Sequence, residues 1–247
     1  MDSALRRRSK RAIERQLAYQ RRKAERIPGH EAAVIAEMKA HSAEVRAKLA
    51  ALRSIPVDAR ILEVGSGAHG LIFFFDGGDR VGVDPLADEY RDLFPAWQDE
   101  AKTIAALGEH LPFPDASFDI VLCDNVVDHA ENPRAIAAEL TRVLRPGGLL
   151  YFTVNIHHPL YHLAANAHAA WRAIVVPVEI TPFADHTVHL TLGAARDLFA
   201  GLPLTGQRES DTIAETKARR PAVRHAGDLL KKLFFKNAQY ELIAVRE

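Results

Sequence analysis

The segment "ILEVGSGAHG", residues 61–70, constrains the fold of this chain more than any other. An apolar run with strand character stops at Gly65, Gly67 and Gly70, spaced as G-x-G-x-x-G. Glycines between a strand and a helix permit a tight turn and let the backbone approach a ligand closely. A loop of this kind belongs to an open α/β sheet, whose ligand lies beyond the carboxyl ends of the strands where the strand order reverses. Glu63 sits inside the run, where a strand buried on both faces rarely carries an acid. A carboxylate there repels a pyrophosphate and attracts a ligand that carries an ammonium group.

The rest of the chain fits that sheet. The spacing of Val34, Met38, Val45, Leu49 and Leu52 predicts an amphipathic helix over 31–52, ended by Pro56. From residue 60 onward short apolar runs alternate with helical segments. Strands are predicted at 60–64, 80–83, 118–124 ("FDIVLCD") and 149–156 ("LLYFTVNI"). Asn132-Pro133 starts a helix, with proline in its first position. The link "GLIFFFDGGDR" leaves room for a first helix of only one or two turns, its phenylalanines closing over the loop or filling the core. Thr191 caps a helix at 192–200, and "LPLTGQRE" and "AQYELIAVRE" supply a last pair of strands. The rhythm predicts a doubly wound, Rossmann-like α/β sheet of seven strands. Asp84 ends the second strand, about twenty residues after the loop begins, a spacing that suits a carboxylate gripping ribose hydroxyls.

The chain has 247 residues, 48% of them hydrophobic, enough for one sizeable core with appendages. Its longest apolar runs are far too short to span a bilayer, and the basic start "MDSALRRRSKR" lacks the apolar stretch of a secretory signal. A single cysteine, Cys123, cannot form an internal disulfide, so a cytoplasmic, reduced protein is expected. The formal net charge is zero, yet residues 1–26 hold ten Lys/Arg against three acids, and the remainder is net negative by seven. That basic arm reads as a solvated helix, or as a contact with nucleic acid or an anionic membrane.

Two further stretches sharpen the reading. "LPFPDASFDIVLCDNVVDHAENP" and "RVLRPGGLLYFTV" follow the glycine loop in order. With the loop and Asp84 they resemble the class I S-adenosylmethionine-dependent methyltransferases, in particular the small-substrate group sharing LPF-x-D-x-SFD and E-x-x-RVL-x-PGG. The resemblance covers residues 60–156. It implies that Glu63, Gly65, Ser66 and Gly67 form the loop around the methionine part and ribose of S-adenosylmethionine. Asp84 would hold the ribose hydroxyls, and after Pro85 the side chain of Leu86 would pack on adenine. The acid that usually precedes "LPF" is replaced by Leu107, so Glu109, or the backbone of Gly108, Glu109 and His110, would serve the adenine amino group. Asp124 and Asn125 would face the sulfonium. Residues 1–55 would be an N-terminal helical extension and 56–247 the methyltransferase domain, with 157–189 as cap and acceptor region.

The cap stretch is rich in histidine: His157, His158, His162, His168, His186 and His189. His158 and His162 have the spacing of one helical face, but Pro159 lies between them and no metal is expected. His129, His157 and His158 are the candidates to line the acceptor pocket or take a proton, since histidine titrates near neutrality. The expected reaction is methyl transfer to oxygen or nitrogen of a small polar or carbohydrate-type acceptor. RNA or protein recruited by the basic arm, and an NAD-binding oxidoreductase, are the alternatives; no Tyr-x-x-x-Lys pair supports the last.

Overall fold

The computed structural model describes residues 3–160, 188–219 and 237–247. Seven strands form one sheet: β1 Ile61–Val64, β2 Arg80–Val83, β3 Lys102–Ile104, β4 Phe118–Asp124, β5 Leu144–Ile156, β6 Leu204–Asp211 and β7 Ala238–Arg246. Their order is β3-β2-β1-β4-β5-β7-β6. β1 to β5 run parallel, and β7 joins antiparallel between β5 and β6. Strand order reverses between β1 and β4, which opens the ligand crevice above those two carboxyl ends. Strand β3 had no place in the sequence reading: it is three residues long and begins with an exposed lysine.

Alternation along the strands sorts side chains onto two faces. On one face Leu62, Val64, Val121, Cys123, Leu150 and Phe152 meet α5, Pro133–Val143, through Ile136, Leu140 and Val143. On the other, Ile61, Ile120, Leu122, Tyr151 and Ile243 meet α2, Glu31–Ala50, through Val45 and Leu49. The helix after the glycine loop shrinks to a single 3-10 turn, Leu71–Phe73, with Phe73 and Phe75 wholly buried, so these rings fill the core. Short helices α3, Ala87–Leu93, and α4, Pro95–Gln98, connect β2 to β3. Thr191 caps α6, Leu192–Asp197, by accepting a hydrogen bond from the amide of Ala194; α7, Ile213–Ala218, follows β6.

The N-terminal arm is a 22-residue helix, α1, Ser3–Ala24. It does more than carry charge. Ile13 and Leu17 pack against the α2-side core, Gln20 is buried, and Gln16 hydrogen-bonds the phenol of Tyr90 on α3. α1 thus supports the layer formed by α2 and α3. Among the described residues no helix is long and apolar enough to cross a membrane.

The two longer sequence motifs turn out to be one clamp. Arg142 on α5 donates to the carbonyls of Leu111 (3.3 Å) and Phe113 (2.9 Å) and to Asp115 (2.7 Å). Glu139, one turn earlier, accepts from Arg142 and from the amide of Leu111. Hydrogen bonds to charged groups are worth roughly 1.5–3 kcal/mol, and this pair carries several at once. Arg142→Met is expected to lower the unfolding free energy by about 2 kcal/mol in urea titration. An unchanged urea midpoint would show that the clamp does not hold the "LPF" segment to α5.

Candidate functional site

The glycine loop crosses the top of the crevice, and left-handed backbone makes it possible. Gly65 has φ +76° and Gly67 φ +52°. A Cβ on Gly65 would lie 2.2 Å from the side chain of Val126, so the loop is pressed against the segment that follows β4. A Cβ on Gly67 would point into the space between the Gly65 carbonyl and the Asp84 carboxylate, at 3.7 and 3.9 Å. α4 fixes the far side of the loop: Trp97 Nε1 donates to the Ala68 carbonyl at 2.7 Å, and Gln98 donates to the carbonyls of Gly67 and Ala68. His69, also in the loop, packs on the rings of Phe94 and Trp97, and burial lowers its pKa to about 4. Neither Trp97 nor Gln98 stood out in the sequence, because their partners are backbone carbonyls some thirty residues away.

Asp84 ends β2 facing that space. Oδ2 accepts from the Gly67 amide at 3.0 Å and Oδ1 from the Leu86 amide at 2.8 Å. An ionised carboxylate has about four acceptor positions, so two remain for the vicinal hydroxyls of a ribose. Burial pushes the pKa of Asp84 up to about 6, against the pull of the two amides. Leu86 is buried beside it and Pro85 is exposed. The vacant acceptor positions of Asp84, and the space above Gly67 that a side chain would fill, fit a nucleoside bound by its ribose.

Glu63 has a different role from the one expected. Its oxygens accept from the amides of Leu71 (3.1 Å) and Ile72 (2.8 Å), and only 1% of the residue is exposed. It anchors the 3-10 turn. Burial is the main reason its pKa rises to about 8, and the charges of Asp124 and Asp84 add to the rise. The charges of Asp84 and Asp124 thus reach Glu63. The two strand-end acids, Asp84 and Asp124, favour a cationic ligand beside them and disfavour a pyrophosphate.

Other expected residues also turn inward. Ser66 is buried, its hydroxyl packed beneath the loop 2.7 Å from where a Cβ on Gly82 would stand. Glu109 Oε1 accepts from the amides of Glu131 and Asn132, so it braces the start of α5 instead of facing adenine. Asn125, at φ +59°, has its Oδ1 engaged by the Asn155 amide. Gly108 lies against Val64 and Ile136, and His110 is exposed.

Asp124, at the end of β4, is the better-placed acid. It accepts from Thr153 Oγ1 on β5 and, at 2.9 Å, from His41 Nε2 on α2. His41 was absent from the sequence reading, since no local motif signals a contact spanning 83 residues. His129 is half exposed, its Nε2 3.8 Å from buried Asp128. His158 Nδ1 accepts from the Leu160 amide. His157 is wholly buried, its ring 5.1 Å from that of His189. His162, His168 and His186, and the pairing of His158 with His162, lie outside the described residues. Among the described residues no group of His, Cys, Asp and Glu forms a metal site.

Residues 62–152 match the family model described as a methyltransferase domain. An uncharacterized methyltransferase of Mycobacterium sp. (strain JLS) is 32% identical over 151 residues, covering 60% of this chain and 51% of that protein. One of Mycobacterium tuberculosis (strain H37Rv) is 35% identical over 130 residues, covering 48% and 51%. The chain thus spans about half the length of the curated relatives it matches. Among solved structures, the YcgJ protein of Bacillus subtilis superposes with a TM-score of 0.57 at 17% identity, over 84% of this chain and 98% of that one. Geranyl diphosphate C-methyltransferase of Streptomyces coelicolor A3(2), bound to Mg2+, geranyl diphosphate and S-adenosyl-L-homocysteine, gives 0.57 at 16% identity, over 88% and 84%. Residues 62–152 are therefore similar to a methyltransferase domain, on a fold shared with solved methyltransferase structures.

Proposed function

We propose that this chain transfers a methyl group from S-adenosylmethionine to oxygen or nitrogen of a small polar acceptor. The observation that carries the reading is the crevice at the β1/β4 switch point. Its loop leaves room over Gly67, Asp84 offers two acceptor positions beside that room, and the strand-end acids Asp84 and Asp124 favour a cation. In this reading Asp84 holds the ribose, the turn at Gly65 to Gly67 lies against the methionine part, Leu86 packs on adenine, and the wall after β4 and β5 meets the acceptor. S-adenosylmethionine supplies an activated methyl that is already electrophilic; the chain's own residues bind, orient and keep the acceptor aligned. Support for a polar acceptor comes from the residues that end β4 and β5, where Asp124, Asp128, His129, Asn155 and His158 gather.

An RNA, protein or membrane partner held by the basic arm is a second reading, favoured by the ten cations among residues 1–26. It predicts binding that weakens steeply with salt, whereas a small neutral acceptor is indifferent to salt. Incubating the chain with metabolite extracts and labelled S-adenosylmethionine, and following the label, tests the leading reading directly. Failure to label any small molecule would overturn it.

Two outcomes are specific to Asp84. Asp84→Ala removes the ionic acceptor, and S-adenosylhomocysteine affinity by calorimetry is expected to fall about ten- to a hundredfold. Normal affinity in a folded variant would refute the assignment. The second is a pH dependence. With a pKa of about 6 in the free protein, Asp84 becomes protonated as pH falls through that value and accepts poorly. Wild-type affinity should therefore weaken by up to about tenfold per unit below pH 6, and Asp84→Asn should lack this slope. The stability contribution runs the other way: a raised carboxylate pKa favours the folded state at low pH and is lost as pH rises through about 6.

A further inference from the structure

α2 lies diagonally across the sheet over one row of polar side chains. Asp124 on β4 is in register with Thr153 on β5, Thr153 with Glu241 on β7, and Glu241 with Ser210 on β6. Lys48 of α2 bridges Glu241 (2.7 Å) and Glu44 (3.0 Å), and Tyr151 and Ser210 also donate to Glu241, so that end of the row is closed off. The Asp124 end is different. It stands beside the crevice, two residues before the Val126 that abuts Gly65. There His41 completes a chain in which Thr153 and His41 each donate to one oxygen of Asp124.

α2 is no loose lid. Met38, Ser42, Val45 and Leu49 are buried, and Ser42 Oγ donates to the Leu71 carbonyl at 2.9 Å. The helix thus delivers His41 to a fixed place. The imidazole keeps one edge on the carboxylate, while 48% of its side chain is exposed. A histidine oriented by an acid on one nitrogen and open on the other is the arrangement that accepts a proton from a nucleophile.

We propose that His41 and Asp124, with Thr153 fixing the carboxylate, form the proton-accepting pair that serves the methyl acceptor. The inference rests on the methyltransferase reading above. The acceptor's O–H or N–H lone pair attacks the methyl carbon, and the new bond to that carbon forms as the carbon–sulfur bond breaks. The electron pair of the broken bond stays on sulfur, leaving the thioether of S-adenosylhomocysteine. The acceptor's proton passes to His41 Nδ1, Asp124 balances the imidazolium, and the half-exposed ring returns the proton to water. The hydrogen bond to Asp124 raises the pKa of His41; partial burial opposes this, Asp124 and Glu44 add to it by charge, and Lys48 opposes it. The acceptor class follows from the chemistry: a hydroxyl, or an amine that must lose a proton, rather than a tertiary amine or a thioether.

The test has one readout free of turnover. Full-length protein with labelled histidine is titrated by NMR in complex with S-adenosylhomocysteine and again with S-adenosylmethionine. The two ligands differ by the methyl group and the positive charge on sulfur. If His41 faces the reacting sulfur, its pKa is lower in the S-adenosylmethionine complex by about half a pH unit or more, the size expected for a unit charge about 6 Å away in water. On the acceptor found by the labelled-methyl screen, His41→Gln, which retains a donor to Asp124, should bind S-adenosylhomocysteine normally. It should lose about a hundredfold in kcat with the acidic limb of the pH profile removed. Equal His41 pKa values in the two complexes, or an undiminished kcat in His41→Gln, would overturn the proposal while leaving the methyltransferase reading intact. Failure of either ligand to bind would bring down both.

Discussion

The site depends on one buried acid. Glu63 sits inside β1 and holds the amides of Leu71 and Ile72, the first hydrogen-bond donors of the turn that leaves the glycine loop. Those amides would otherwise be orphaned at the start of a helical turn in the core, at a cost of about 1–3 kcal/mol each. Because the turn is pinned from below, the loop above it can be made of glycine without being slack. Gly70 shows how little room remains: a Cβ there would lie 2.4 Å from Glu63 Oε2. Burying the carboxylate is costly in itself, as its displaced pKa of about 8 records.

Two more tethers complete the frame, and both run from side chains to backbone. Trp97 and Gln98 hold the loop carbonyls, and Arg142 with Glu139 holds the "LPF" segment on α5. Side chain-to-backbone bonds of this kind specify position without specifying the residue they reach. A sequence therefore shows the donor, or its motif, and hides the purpose. The glycine loop, Asp84 and the "RVL-x-PGG" stretch marked the domain correctly, yet only Asp84 and the loop face the ligand space; the Arg142–Glu139 pair is structural.

The expected site residues divide along the same line. Gly65, Gly67, Asp84 and Asp124 come together at the β1/β4 crevice. Glu63, Ser66, Glu109 and Asn125 lie near it but direct their polar atoms into the protein. Each was chosen for nearness in sequence to a ligand-facing neighbour, and one step along a strand or turn reverses the direction of a side chain. His157, one residue past β5, is wholly buried. The basic arm, expected as a charged appendage, packs through Ile13, Leu17 and Gln20 because a helix needs only a few apolar positions on one face to dock.

By itself the sequence determined the fold class, the position of the loop and the acid that ends β2. Hydrophobic period, glycine spacing and a strand-end carboxylate are local properties, and local properties are written in consecutive residues. Only the tertiary structure decided what each acid does. It decided that β3 exists with hardly an apolar run to announce it, and that α2 carries His41 across 83 residues to Asp124. Those outcomes depend on which strands become neighbours and which helix crosses them. Loop closure brings such partners together only once the whole core has formed.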